Sequence, residues 1–502
     1  MSENHPPQQP TPDQPGPQFA PPGQPAQPQT AAPGAQPTPP KKRRTGVIAT
    51  AAVVGVAVIG GGIALALNLA KGGDMNAADG LPSDAVFAAE VNLNPPAGDQ
   101  LALRDIAKKF PNLEMNTETT DYKEALFSLV AGDTEDVDYA TDVKPWLGDS
   151  AAIGVVNSTD FSPYDPDDSI VFVVDTTDAS KAEEFFTKKN DDADMKHFFV
   201  DDLLVIHPVA LDLSADAIKA APLSASQEYT SMKEKLGGGL VTAYVSPQAI
   251  PMILESMDDP EIPELPAALQ QEIGASGVAL QVTDNMLSAK IISTSPEAMP
   301  EMVDVRDFAG ALDGESVFAL AASLPAEAIE KNWDVMTATP EMAEILPLLG
   351  IQSAADFSAL FGEQLGLSLK SLDAPEPVIG IKVKPADVDR HTALLENLEL
   401  QLGMPLSREV RDGYSGISIS PAGLESALAP ATALKDNASY TKLTELSGSV
   451  NVVMFVNVDP IRDMAGALGT DPSNFEALAG VGIVGSRLDD HTSEVQLRVA
   501  FN

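Results

Sequence analysis

Among the residues able to do chemistry, the Gly-Asp-Ser triplet in VKPWLGDSAAIGVV (143–156) is the first that resembles a nucleophile motif. A serine nucleophile of the trypsin type needs a glycine after it and a histidine base held in a matching scaffold, and here Ala151 follows Ser150. The elbow pattern G-x-S-x-G is approached by GYSGI (413–417) and GASGV (274–278), each missing one position. His197, His207, His391 and His491 show no H-x-x-x-H spacing of the kind that puts two ligands on one helix face. Each reads as a structural histidine.

Carboxylates are dense in YDPDDS (164–169), GDTEDVDYATD (132–142) and NDDADMK (190–196), and a hard cation such as calcium takes several oxygens from one loop. None of the three follows the calcium-loop pattern with its turn glycine and distal glutamate, so a solvated acidic loop is expected at each. With no cysteine, thiol chemistry, disulfides and Cys-based zinc sites are excluded. No residue set points to a resident metal, a cofactor or a nucleotide fingerprint, and no catalytic residue is assigned.

The elements that would carry such residues divide the 502-residue chain unevenly. From Thr45 to Ala70 no charge interrupts TGVIATAAVVGVAVIGGGIALALNLA, which is long enough as a helix to cross a hydrocarbon core of about 30 Å. Lys41, Lys42, Arg43 and Arg44 precede the run and Lys71 alone follows it, so positive charge held inside predicts a cytoplasmic N-terminus and an extracytoplasmic remainder. Residues 1–44 are mostly Pro, Gln, Ala, Gly and Thr before the basic cluster, too polar to offset chain entropy, and read as a disordered cytoplasmic tail. Only Glu3 and Asp13 of the 73 acidic residues precede the run, and the formal charge of the whole chain is −42. An exterior that acidic disfavours nucleic acid as a partner.

After a linker (71–80), strand-like and helix-like segments alternate, and the pattern repeats. LPSDAVFAAEVNLNP (81–95) is echoed by LDGESVFALAASLPA (312–326), and SIVFVVDTTDASKAEEFF (169–186) by EPVIGIKVKPADVDRHTALL (376–395). SASQEYTSMKEKLGGGLVTAYVSPQAI (224–250) is matched by KDNASYTKLTELSGSVNVVMFVNVDPI (435–461), and the hairpin GVALQVTDNMLSAKII (277–292) by GVGIVGSRLDDHTSEVQLRV (480–499). The expected fold is α+β: two tandem related units, 81–295 and 311–502, each a mainly antiparallel sheet with helices on one face. Aligning the units sets Gly148 against Gly362 and Ser150 against Gln364, so Trp146, Gly148 and Gly362 read as a structural turn rather than a catalytic site.

The opening LPSDAVFAAEVNLNPPAGDQLALRDIAKKFP with VKPWLGDSAAIGV resembles the bacterial family known as domain of unknown function 3352. The resemblance extends over most of 81–502 and implies a membrane-anchored extracytoplasmic protein; it brings no activity and no catalytic residues. Together these features predict a single-pass protein acting as a binding or scaffold module at the cell envelope, with an unidentified envelope protein or ligand as partner. Two alternatives stay open. One is an envelope hydrolase working through carboxylates with raised pKa values in a deep cleft. The other is an apolar-ligand carrier whose cavity residues such as Phe185, Phe186 and Phe198 would line.

Overall fold

The structure is a computed structural model and describes residues 76–110, 119–131, 137–156, 169–189, 195–249, 274–283, 285–338, 340–371, 377–464 and 475–502. Among these, 16 strands form one sheet in which every pairing is antiparallel. The first eight are β1 (Ala85–Asn92), β2 (Leu147–Val156), β3 (Ile170–Thr176), β4 (Met195–Val200), β5 (Leu203–Pro208), β6 (Val241–Val245), β7 (Ser276–Thr283) and β8 (Met286–Thr294). The second eight are β9 (Phe318–Ser323), β10 (Gln364–Ser371), β11 (Val378–Lys384), β12 (Ser407–Arg411), β13 (Tyr414–Ser418), β14 (Ser449–Asn457), β15 (Leu478–Asp489) and β16 (Thr492–Phe501).

Across the sheet the order is β12-β13-β11-β10-β9-β14-β15-β16-β8-β7-β6-β1-β2-β3-β5-β4, which reads the same from either edge when each strand of the second eight is counted from β9. The two hairpins expected from sequence, β7–β8 and β15–β16, meet at the centre, where Lys290 stands opposite Gln496. Two separate sheets would each leave a row of unpaired N–H and C=O groups at this edge; pairing β8 with β16 removes both edges. The fold class is therefore α+β on a single large antiparallel sheet.

Helices pack on both faces rather than one. On the first face lie Gln227–Leu236 and Ala438–Thr444, closing cores around Tyr229, Met232, Tyr244 and Ile292 and around Tyr440, Leu443, Phe455 and Val484. Ser226 and Asn437 cap these helices through N–H groups of Tyr229 and Tyr440, and each tyrosine ring meets the ring across from it edge-on, Tyr244 at 5.5 Å and Phe455 at 5.6 Å. On the second face, Ala97–Ala107, Tyr122–Ala131 and Ala179–Lys189 cover one end of the sheet, with Leu103, Ile106, Phe185 and Phe186 over Ile153, Phe172 and Ile206. Pro340–Leu348, Ala354–Phe361 and Val388–Leu402 cover the other end, over Leu365, Ile381, Val383 and Ile417. Helices on one face would leave these strand residues in water; the alternation of apolar side chains on both sides of β2, β3 and β5 calls for a second layer.

Among the described residues no helix is long and apolar enough to cross a membrane. The run 45–70, the tail 1–44 and its Lys41, Lys42, Arg43 and Arg44, and residues 132–136, 164–168 and 190–194 of the three acidic segments lie outside the described residues.

Candidate functional site

Trp146 is buried, donates from its indole nitrogen to the Asp142 carbonyl at 2.6 Å, and packs on Phe185 and Phe186 at 5.5 and 6.1 Å between ring centres. Gly148 falls within β2 rather than before it, and a β-carbon there would stand 2.7 Å from the backbone carbonyl carbon of Asp175. Gly362 caps the helix Ala354–Phe361 at φ 68°, a conformation that glycine alone adopts cheaply. The aligned glycines thus answer different demands, close approach of a neighbouring strand in one case and backbone handedness in the other.

Ser150 is buried at 1% exposure and donates to the Asn76 side-chain carbonyl at 2.8 Å. The histidines stand apart from it. His207 Nδ1 donates to the Pro208 carbonyl at 2.8 Å; His391 Nδ1 donates to the Ala359 carbonyl at 3.1 Å and its Nε2 meets Ser415 Oγ at 2.9 Å. Burial holds both imidazoles below the usual histidine pKa. His197 faces Glu183 at 3.0 Å, and His491 Nδ1 donates to the Ser295 carbonyl at 3.0 Å.

Beside the Trp146 segment lies a cavity of about 340 Å³ lined by Asn94, Gln100, Asp121, Lys123, Tyr139 and Lys144 among others. Lys123 donates to the Gly148 carbonyl at 2.6 Å and to Asp149 at 2.9 Å, and Lys144 pairs with Asp121 at 2.8 Å. Burial pushes the Asp121 and Asp149 carboxyls up, but hydrogen bonds from Lys144 to the first and from Lys123 and Asn94 to the second outweigh it and hold both low. A general acid needs the opposite shift. The cavity's charges are spent on one another and on backbone carbonyls, an arrangement that locks the start of β2 in place. Among the described residues no group of three or more His, Asp or Glu could hold a metal ion.

The expected aromatic cavity is corrected by the strand register. Phe185 and Phe186 pack into the core on the second face, whereas Phe198 stands opposite Val205 on the first face against His207, so the three cannot line one cavity.

A different apolar surface occupies the middle of the second face. Register places Val278 opposite Ile291, Ile291 opposite Val495, Leu497 opposite Ile483, and Ile483 opposite Met454, so these side chains project on the same side as the helices at both ends. Val278, Val495 and Leu497 are 37%, 36% and 36% exposed, large values for sheet-centre aliphatics, and among the described residues none of the six belongs to or packs against a buried core cluster. Leu320 and Leu367 continue the surface toward the second helical wall. On β7, β8 and β16 the row then runs into the core under the helix Ala97–Ala107, where Val282 and Leu287 are buried and Val499 packs against them.

The opposite side of the same central strands is polar. Glu494, Gln496 and Arg498 alternate along β16; Gln496 bonds both neighbours, and Arg498 donates to the carbonyls of Leu443 and Glu445 at the end of the helix Ala438–Thr444. Lys290 donates to the Lys235 carbonyl at 2.6 Å, near the end of Gln227–Leu236. Cations at helix C-termini are favourable, so the polar side fastens helices, whereas Val278, Val495 and Leu497 on the apolar side stay partly exposed. In sequence, EVQLRV gives only the alternation; periodicity fixes which residues share a side, not which side is covered.

A family comparison bears on the strands around Trp146. Residues 47–202 match the family described as Protein of unknown function (DUF3352). This is the family that the Leu-Pro-x-Asp and Pro-Trp-Leu-Gly segments resemble, and the DUF3352 match begins inside the apolar run and ends after β4. No curated protein matches the chain. Solved structures of TP0453 are similar at a low level. Crystal form III covers 46% of this chain and 83% of that one, with 9% identity and a TM-score of 0.26. Crystal form I has the same coverage, 8% identity and a TM-score of 0.24. A likeness of this size carries no argument about fold or function.

Proposed function

We propose that the chain is a single-pass membrane protein whose residues from about 81 onward form an extracytoplasmic binding module at the cell envelope, built from two related units. The observation that supports the binding reading is the apolar row at the middle of the second sheet face, where Val278, Val495 and Leu497 are each about a third exposed. Surfaces of this kind on soluble faces mark interaction sites, because exposed contiguous apolar area is costly and promotes aggregation unless it is used. The duplicated reading is supported by the strand order, the same from both edges, and by the paired tyrosine contacts under the two equivalent helices.

Anchoring is supported by the uncharged run Thr45–Ala70 and its flanking Lys41, Lys42, Arg43 and Arg44. The test is membrane fractionation and protease protection of the full chain in a bacterial host. The expected result is a carbonate-resistant membrane protein whose residues beyond 80 are digested from outside spheroplasts, and which becomes extractable when 45–70 is deleted. A full chain that fractionates with soluble protein would overturn it.

A further inference from the structure

We propose that Lys382 is a reversible covalent binding site for small, uncharged aldehydes, a site separate from the apolar row and independent of the membrane reading. Lys382 stands in β11 on the first face, at 8% exposure. Its neighbours across the strands are Gly366 on β10 and Gly416 on β13, and their missing side chains let Phe308 and Leu312 close on one flank and Leu424 and Leu428 on the other. The side-chain nitrogen lies 4.9 Å from the centre of the Tyr414 ring and 5.7 Å from that of Phe308, and the two rings are 5.8 Å apart and tilted by 34°. Among the described residues these rings are its polar contacts; no ion pair or hydrogen bond reaches it. Of the charged groups on the elements packed around it, Arg306 pairs with Asp304, Lys370 pairs with Glu315, and Asp307, Glu425 and Lys384 make no pair with it.

The two units differ at this place. Aligning Ser150 with Gln364 sets Ala152 against Gly366, so the residues across from them, Val173 and Lys382, occupy equivalent positions. Val173 is fully buried core. An amine put there loses the hydration of its charge, and ring faces restore less than a carboxylate would. Burial accordingly holds the Lys382 amine below the usual lysine range, whereas hydrogen bonds to Asp121 and Glu315 push Lys144 and Lys370 above it. A lysine desolvated in this way keeps more of its lone pair available near neutral pH.

The electrophile follows from what surrounds the nitrogen. Acyl transfer calls for hydrogen-bond donors to an oxyanion and a base beside the nucleophile, and among the described residues neither reaches Lys382. Imine formation needs neither. The nitrogen lone pair bonds to the carbonyl carbon, the carbonyl electron pair moves to oxygen, and both N–H protons leave with that oxygen as water while the C=N bond forms. Protonation of the imine gives a cation, which the Phe308 and Tyr414 rings receive as they do the ammonium. The apolar walls and the slight exposure select a short aldehyde without charge, since a carboxylate on it would find no partner.

The experiment gives propionaldehyde and sodium cyanoborohydride, which reduces the imine to a stable secondary amine, to the full-length chain in detergent, and reads modified lysines by peptide mass spectrometry. At pH 7 Lys382 is expected to be modified several-fold faster than the exposed Lys384 and Lys435, and this excess shrinks toward pH 9, where exposed amines also begin to lose their protons. Equal rates at pH 7, or an excess that does not change with pH, would overturn the proposal. Glyoxylate, an aldehyde bearing a carboxylate, is expected to show no preference for Lys382; a preference with glyoxylate and none with propionaldehyde overturns the assignment to uncharged aldehydes.

Discussion

Glu90 buries a carboxylate in β1 at 1% exposure, where it accepts from the Ala78 N–H at 3.0 Å, from the Tyr229 hydroxyl, and from Lys233 at 2.7 Å. Burial first, then the charge of Glu90, pushes the Tyr229 phenol well above its ordinary pKa, so the hydroxyl stays a donor at any physiological pH. Removing the cation strands a buried charge: Lys233→Met is expected to lower stability by about 3 kcal/mol in urea unfolding, and Lys233→Arg to keep most of it. His391 gives a pH dependence. Its folded pKa lies below the unfolded value, so the unfolded chain takes up the proton first and stability falls as pH drops through about 6.5, by at most ~1.4 kcal/mol per unit for one proton. The depressed Asp121, Asp149 and Asp356 contribute stability that is lost only at lower pH, below the ordinary carboxylate range. Between pH 7 and 5 the unfolding midpoint should therefore fall, and fall less steeply in His391→Gln. Neither Glu90 nor the polarity of the His391 pocket was legible in sequence, since an acidic residue in an alternating strand gives no sign of which side it faces.

At the scale of elements, the start of β2 is held from three sides: by Asp175, whose carboxylate accepts the Asp149 N–H at 2.7 Å; by Lys123; and by Trp146 under Phe185. Gly148→Ala places its new carbon against the Asp175 backbone and should cost about 2 kcal/mol by overpacking. Gly362→Ala meets the Lys384 carbonyl carbon at 2.8 Å and adds the penalty of a positive φ, so a loss at least as large is expected. Differential scanning calorimetry of both variants checks the pair, and a Gly148→Ala protein as stable as the parent would remove the close-approach explanation. The hairpins were readable from spacing because turns restrict residue type locally, whereas the strand position of Gly148 was not, since its close approach to Asp175 is a long-range contact. Helix placement was not: which face receives the helix Ala179–Lys189 depends on the apolar side of strands that its own periodicity cannot see.

For the molecule as a whole, deletion of residues 1–75 is expected to leave the unfolding transition of the sheet nearly unchanged while releasing the protein from membranes, read by fractionation and thermal unfolding of the released protein; a large drop in unfolding temperature would mean the N-terminal segment packs on the sheet. Sequence alone determined the parts: the uncharged run with its basic flank, the acidic composition, the repeated series of segments and the alternation of each strand. These are local or compositional properties, fixed by hydrophobic length, charge and periodicity. Only the tertiary structure decided that β8 and β16 join the strands into one sheet, that helices close both ends of the second face, and that Val278, Val495 and Leu497 near its centre keep about a third of their surface exposed. Strand register and helix packing are long-range pairings, so the same alternating EVQLRV would suit a sealed core or an open floor until its neighbours are in place.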